Sequence, residues 1–97
     1  SSPAKPDYSG VYAYPNPVTP DYTGWITIAG LMDNSLVKIT DADMHLVYQT
    51  TSNGGMAMWD GCNTSGARVR SGVYYVFAST SSADTAGDVV AKILVVN

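Results

Sequence analysis

The stretch GVYYVFAS at positions 72–79 is the longest strand pattern in the sequence and decides the fold class. In an extended chain its side chains alternate between two faces, with Val73 and Tyr75 on one and Tyr74 and Val76 on the other. Valine and tyrosine are both enriched in strands. We therefore predict a β-strand over these eight residues.

Shorter runs of the same kind lie on both sides of this stretch, separated by turn signals such as Asn53-Gly54-Gly55. The runs are Val11–Tyr14, Trp25–Ile28, Leu36–Thr40, Leu46–Thr50, Met56–Trp59 and Val89–Val96. The third and fourth predict a hairpin, and residues 80–88 a polar loop. The pattern predicts an all-β, immunoglobulin-like sandwich of about seven antiparallel strands over residues 10–97, after a linker at 1–9.

Composition excludes several classes of function. The net charge is −3, with eight aspartates and no glutamate, which argues against binding to the phosphates of a nucleic acid. No apolar run approaches the roughly 20 residues that span a bilayer, and no signal peptide is visible at the start of the sequence. The Ser/Pro/Lys/Asp stretch at 1–9 is typical of a linker, so we expect a piece of a larger protein whose targeting signal lies outside these residues.

The sequence offers no recognisable catalytic set. His45 is the only histidine and falls in a predicted turn, whereas Cys62 is the only cysteine and falls in a different connector. A catalytic thiol or hydroxyl needs a base within hydrogen-bond reach. We therefore expect a protein that is not an enzyme, with His45 as a turn residue and Cys62 as a half-buried free thiol.

The segment that contains Asp60, Asn63, Ser65 and Gly66 superficially resembles a calcium loop. A calcium loop of the EF-hand type ends in a bidentate glutamate, and the sequence has no glutamate. Aspartate and asparagine in loops more often accept hydrogen bonds from nearby backbone amides. We predict such turns here and expect neither a metal nor a cofactor.

Two groups of side chains could bind a ligand. Trp25 and Tyr74, placed on the face away from the core, are candidates for stacking on sugar rings, as in a carbohydrate-binding module. Arg68 and Arg70 lie two apart on an extended segment and, together with Lys92, could form a small anion-binding patch. The alternatives are ordinary sheet aromatics and solvated charges.

Several motifs follow one another in an order that is more specific than any one of them. The series is Tyr14-Pro15-Asn16-Pro17-Val18, Val37–Asp41, Leu46-Val47-Tyr48, Gly54-Gly55, Trp59-Asp60-Gly61, Gly66, Val69, Ser71–Val76 and Lys92–Val96. Over residues 11–97 this series resembles the C-terminal sorting domain of type IX secretion cargo in Bacteroidetes, and the related immunoglobulin-like domain of flagellar hook-capping proteins. Within the group it is most similar to the module that follows β-propellers in regulator-propeller proteins.

The resemblance implies that the parent is a larger exported protein in the periplasm, at the outer membrane or on the cell surface. This domain would be a non-enzymatic, folded signal that sorts or anchors it. Its partners would be the secretion and sortase machinery or anionic lipopolysaccharide at the outer membrane, besides the preceding domain of the parent chain. The last strand, 89–96, is then the expected recognition element. Its contact residues would be Lys92, Ile93, Leu94, Val95 and Val96, with Arg68 and Arg70. A structural spacer remains an alternative.

The motif residues also have direct physical roles. Pro15 and Pro17 should end the first strand and direct the chain across the edge of the sandwich. Trp59 should be a large core anchor, and Gly72 should permit a close approach of the backbone. Where the family pattern has glycine three residues after Asp41, this sequence has Met44, so either the turn differs or Met44 tolerates a strained backbone.

Overall fold

The computed structural model describes residues 8–80 and 89–97, and these ranges contain seven strands. The strands are β1 (Tyr12–Tyr14), β2 (Ile26–Ala29), β3 (Leu36–Thr40), β4 (Leu46–Thr51), β5 (Met56–Trp59), β6 (Gly72–Ser79) and β7 (Val89–Val95). The all-β prediction is confirmed, with each boundary within one residue of the predicted one. Most of the predicted linker at 1–9 and of the predicted loop at 80–88 lies outside the described residues.

The strands form two antiparallel sheets that pack as a sandwich. One sheet has the order β1-β2-β5 and the other the order β4-β3-β6-β7. This is an immunoglobulin-like arrangement in which the fourth strand pairs with the third instead of completing the first sheet. The predicted hairpin of β3 and β4 is present. The described ranges contain no helix with the length and apolarity needed to cross a membrane.

The core lies between the two sheets and is centred on Trp59. The Trp59 side chain is fully buried, as predicted, and its ring lies 5.6 Å from that of Tyr74 and 6.5 Å from that of Tyr48. Aliphatic side chains from both sheets complete this core: Ile26, Ile28, Val37, Ile39, Val76, Ile93 and Val95. Burial of this kind is the main favourable term in folding.

The orientation of Tyr74 in β6 is the reverse of the predicted one. Tyr74 and Val76 point into the core, with Tyr74 only 6% exposed, whereas Val73 lies at the surface. The reason is the pairing of the sheet, since Tyr74 stands opposite Ile93 and Val76 opposite Ile39, and both isoleucines are buried. Tyr74 therefore offers no exposed ring for a sugar.

The segment after β1 crosses from one sheet to the other. β1 ends at Tyr14, and Val18 then forms an isolated parallel bridge to Val95 of the second sheet. The predicted effect of Pro15 and Pro17 is thereby confirmed. The crossing places the segment 16–18 along the outer edge of β7.

Two turns test the predicted backbone roles. Met44 has φ of 67°, so the turn keeps the left-handed geometry and methionine occupies it despite its steric cost. Gly72 has open space where a Cβ would stand, so the predicted close approach is absent. Its φ of 155° is instead the property that favours glycine at this position.

Candidate recognition surface

The last strand presents alternate side chains to the surface and to the core. Lys92, Leu94 and Val96 are exposed, the latter two by 43% and 41%. Ile93 and Val95 are buried and belong to the core. The prediction that all five residues contact a partner is thus corrected: three of them can do so, because a strand shows only every second side chain on one face.

Two residues of β6 extend this surface. Val73 stands directly opposite Leu94, and Tyr75 directly opposite Lys92. The Lys92 ammonium nitrogen lies 5.9 Å from the centroid of the Tyr75 ring, within the range of a cation–π contact. Together, Val73, Tyr75, Lys92, Leu94 and Val96 form what we call the β6–β7 face, an apolar patch with one positive charge.

The outer edge of β7 is closed by hydrogen bonds from the crossing segment. The Asn16 side chain donates to the Lys92 carbonyl at 2.8 Å and accepts from the Leu94 amide at 3.0 Å. Val18 donates to the Leu94 carbonyl and accepts from the Val96 amide, both at 2.8 Å. A partner strand therefore cannot pair with this part of β7, and recognition here depends on side chains.

The two arginines have different surroundings. The Arg68 guanidinium donates to the carbonyls of Tyr22 at 3.0 Å and Thr19 at 3.3 Å, and so ties the loop before β2 to the loop before β6. The Arg70 side chain is exposed. Both line a shallow depression of about 390 Å³, with Asp41 on its wall. Two nitrogens of Arg68 are thus engaged by backbone carbonyls, and Arg70 is the more exposed of the two arginines.

The loop between β5 and β6 is built from the turns predicted for it. The Asp60 carboxylate accepts from the Cys62 amide, and the Asn63 side-chain oxygen accepts from the amides of Ser65 and Ala67. Gly61 and Gly66 take positive φ values here. The oxygens that suggested a calcium loop are therefore engaged by backbone N–H groups. Cys62 is a half-buried free thiol, as predicted.

The turn between β3 and β4 holds a half-buried acidic group, Asp41. Asp41 accepts backbone hydrogen bonds from His45 and Asp43, both at 2.9 Å, and lies 3.5 Å from the His45 imidazole. The His45 amide is the main cause that holds the pKa of Asp41 below its ordinary value, although partial desolvation opposes it. Asp43 completes a group of possible ligand atoms within 4.8 Å, but its bonds are those of a turn.

Exposed aromatic rings lie on the outer face of the three-stranded sheet. Tyr12 and Tyr14 are 55% and 46% exposed, and their rings stack with centroids 5.9 Å apart. Trp25, which precedes β2, is 53% exposed. Tyr14 stands opposite Thr27, two residues from Trp25, so the three rings belong to the same side of the sheet. Trp25 was predicted as a stacking residue, whereas Tyr12 and Tyr14 were not singled out.

The strand order defines this chain as an immunoglobulin-like β-sandwich. It is similar, at 39% sequence identity and a TM-score of 0.78, to part of PorZ from Porphyromonas gingivalis, an essential bacterial surface component of the type IX secretion system. The match covers 91% of this chain but 12% of PorZ. No protein-family model matches the chain, and no curated protein matches it.

Proposed function

We propose that this chain is a non-enzymatic module of a larger exported protein that serves type IX secretion. It acts there as a sorting or anchoring signal, or binds a partner at the outer membrane. The observation that carries the proposal is the 39% identity to part of PorZ over 91% of this chain, at a TM-score of 0.78. At that level of sequence identity, this chain and the matched part of PorZ can share both the fold and the surface.

The proposal assigns recognition to the β6–β7 face. Its apolar side chains, Val73, Leu94 and Val96, are all exposed and give a partner an apolar surface to cover. Lys92 adds a positive charge that suits a partner with negative groups, such as anionic lipopolysaccharide or an acidic patch on the sortase machinery. Binding at this face would place the module in the periplasm, at the outer membrane or on the cell surface.

The positions of the reactive side chains support a role without catalysis. The Cys62 sulfur lies 3.8 Å from the Asp60 carbonyl, in the loop after β5, whereas His45 pairs with Asp41 in the turn after β3. A nucleophile needs its base within hydrogen-bond reach, and among the described residues no hydrogen bond joins the Cys62 thiol to His45.

The test is surface display of the full-length parent protein in its own organism. Deletion of residues 92–97 would be a poor test, because it removes Ile93 and Val95 from the core. We expect instead that Lys92→Ser combined with Leu94→Ser leaves the domain folded and causes the parent protein to accumulate in the periplasm. The matched control is Leu46→Ser, which removes a similarly exposed leucine from β4.

Surface display is measured by protease accessibility on whole cells, and folding by thermal unfolding of the isolated chain. Normal display of the folded Lys92/Leu94 variant would contradict the role of this face. Normal display of a parent that lacks residues 10–97 altogether would contradict the proposed function itself.

A second candidate function rests on the exposed rings of Tyr12, Tyr14 and Trp25. Flat aromatic surfaces without charge suit the apolar faces of sugar rings, so a carbohydrate-binding role would use this side of the three-stranded sheet. A glycan array probed with the isolated chain tests it. Binding that is lost in Trp25→Ala and kept in Tyr75→Ala would support it, and an array without bound glycans would eliminate it.

A further inference from the structure

The two sheets end in four edge strands, which differ in how far they are open. In the four-stranded sheet, β7 is closed by Asn16 and Val18, whereas β4 is the opposite edge. In the three-stranded sheet, β1 has three residues and β5 has four. With six residues, β4 is the longest of the described edge strands that no segment covers. An open edge presents unpaired N–H and C=O groups to any strand that can reach it.

The hydrogen bonds to β3 show which groups of β4 point outward. The Ser52 amide donates to the Ser35 carbonyl, so this pair bonds inward, toward β3. Inward and outward orientations alternate along an antiparallel strand, which leaves the N–H and C=O groups of Gln49 and Thr51 directed away from β3. Both residues are exposed, and within the described part of the chain no backbone hydrogen bond reaches this side of β4.

The composition of β4 lacks the usual protection of an edge. Its sequence, LVYQTT, contains no charged residue, no proline and no glycine. Natural edge strands are commonly guarded by lysine, proline or a bulge. Of these, β4 has only a bulge, at its start, where the register shifts and Val47 has no partner residue in β3. The unguarded part is therefore the second half of the strand.

We propose that the open edge of β4 is a self-association site, at which the β4 strands of two copies of this chain pair antiparallel. A two-fold axis beside Thr50 brings Gln49 of each copy opposite Thr51 of the other, so that all four outward groups on each strand are bonded. If the axis lay at Gln49 instead, Val47 of each copy would have to pair with Thr51 of the other, and Val47 lies in the bulge. Because the strand itself has no charge, its pairing with a second copy brings no like charges together at the seam, and the same surface serves both partners.

The paired segment is short, so we expect a weak and reversible dimer that forms at high protein concentration. The test is sedimentation velocity of the isolated chain over a range of concentrations, with Gln49→Lys as the variant. A lysine at this edge should weaken the self-association about tenfold or more. The matched control is Thr23→Lys, which adds the same charge to an exposed loop before β2.

Disulfide cross-linking tests the register. In the background Cys62→Ser, the cysteine of Thr50→Cys would stand opposite its copy across the axis. The Cα atoms of such a non-hydrogen-bonded pair lie about 4.5 Å apart, within reach of a disulfide. We expect Thr50→Cys to cross-link under mild oxidation and Leu94→Cys, on the β6–β7 face, not to do so. A chain that stays monomeric at every concentration would overturn the proposal. So would a dimer that Gln49→Lys leaves intact, or one that cross-links through Leu94→Cys instead.

Discussion

The indole of Trp59 and the phenol of Tyr74 pack against each other in the core, with ring centroids 5.6 Å apart and planes inclined by 56°. Each ring also donates its polar hydrogen to a carbonyl of the loop between β5 and β6. Trp59 donates to Cys62 at 2.9 Å, and Tyr74 donates to Arg70 at 2.6 Å. The pair thus anchors both ends of the loop to the core.

This pairing predicts that Tyr74→Phe destabilises the domain. The substitution keeps the ring contact but removes the donor to Arg70, which should lower the free energy of unfolding by about 0.5–1.5 kcal/mol. The measurement is urea unfolding followed by tryptophan fluorescence. The control is Tyr75→Phe, on the outer face of the same strand, which should change stability by less than about 0.5 kcal/mol. Equal effects of the two variants would count against the loop anchor.

Asn16→Ala should open the edge of β7. The variant removes one donor and one acceptor that bond to Lys92 and Leu94, and at an exposed site we expect a loss of about 1–2 kcal/mol. Amide hydrogen exchange should be faster at Leu94 in particular. Asn53→Ala is the control, since the structure gives the Asn53 side chain no hydrogen bond to a described residue. An unchanged exchange rate at Leu94 would show that the edge is held by Val18 alone.

Met44→Gly should stabilise the domain, because φ of 67° is costly for methionine and free for glycine. The side chain is largely exposed, so little packing is lost. After the greater entropy of glycine in the unfolded chain is subtracted, a gain of about 0.5–1 kcal/mol remains. Thermal unfolding measures it. Ala42→Gly, two residues earlier and without positive φ, should be destabilising, and a loss of stability in both variants would argue against strain at Met44.

The lowered pKa of Asp41 predicts that the free energy of unfolding depends on pH in acid solution. Because its pKa in the folded state is lowered, the stability it contributes is fully present above its unfolded value of 3.8 and is lost as the pH falls through the folded pKa. Asp41→Asn should therefore flatten the decline of unfolding free energy below about pH 4. Asp33→Asn is the comparison. If both variants keep the wild-type decline, other carboxylates cause it.

The strand positions could be predicted because alternation and turn residues agree in most segments. Met56–Trp59, for example, lies between Asn53-Gly54-Gly55 and Asp60-Gly61, so both of its ends are marked in the sequence. The face of β6 could not be predicted in the same way. Both of its faces are apolar, and only the pairing with Ile39 and Ile93 shows which one is buried.

The surface was harder to predict than the fold, since contacts between residues far apart in the sequence decide which polar side chains are engaged. Arg68 bonds to carbonyls 46 and 49 residues away, and Asn16 to backbone groups 76 and 78 residues away. Neither contact leaves a local pattern. The contacts predicted for 92–96 could have been narrowed from the sequence alone. Successive side chains of a strand point to opposite faces, which would have excluded Ile93 and Val95.

The parallel bridge between Val18 and Val95 fastens the first part of the domain to its last strand. If the ends of the domain are pulled apart, the hydrogen bonds made by Asn16 and Val18 are loaded in parallel and have to break together. Shearing of this kind resists force better than opening one bond at a time. A module attached to a larger protein would thus withstand tension along the chain while its side chains stay available for docking.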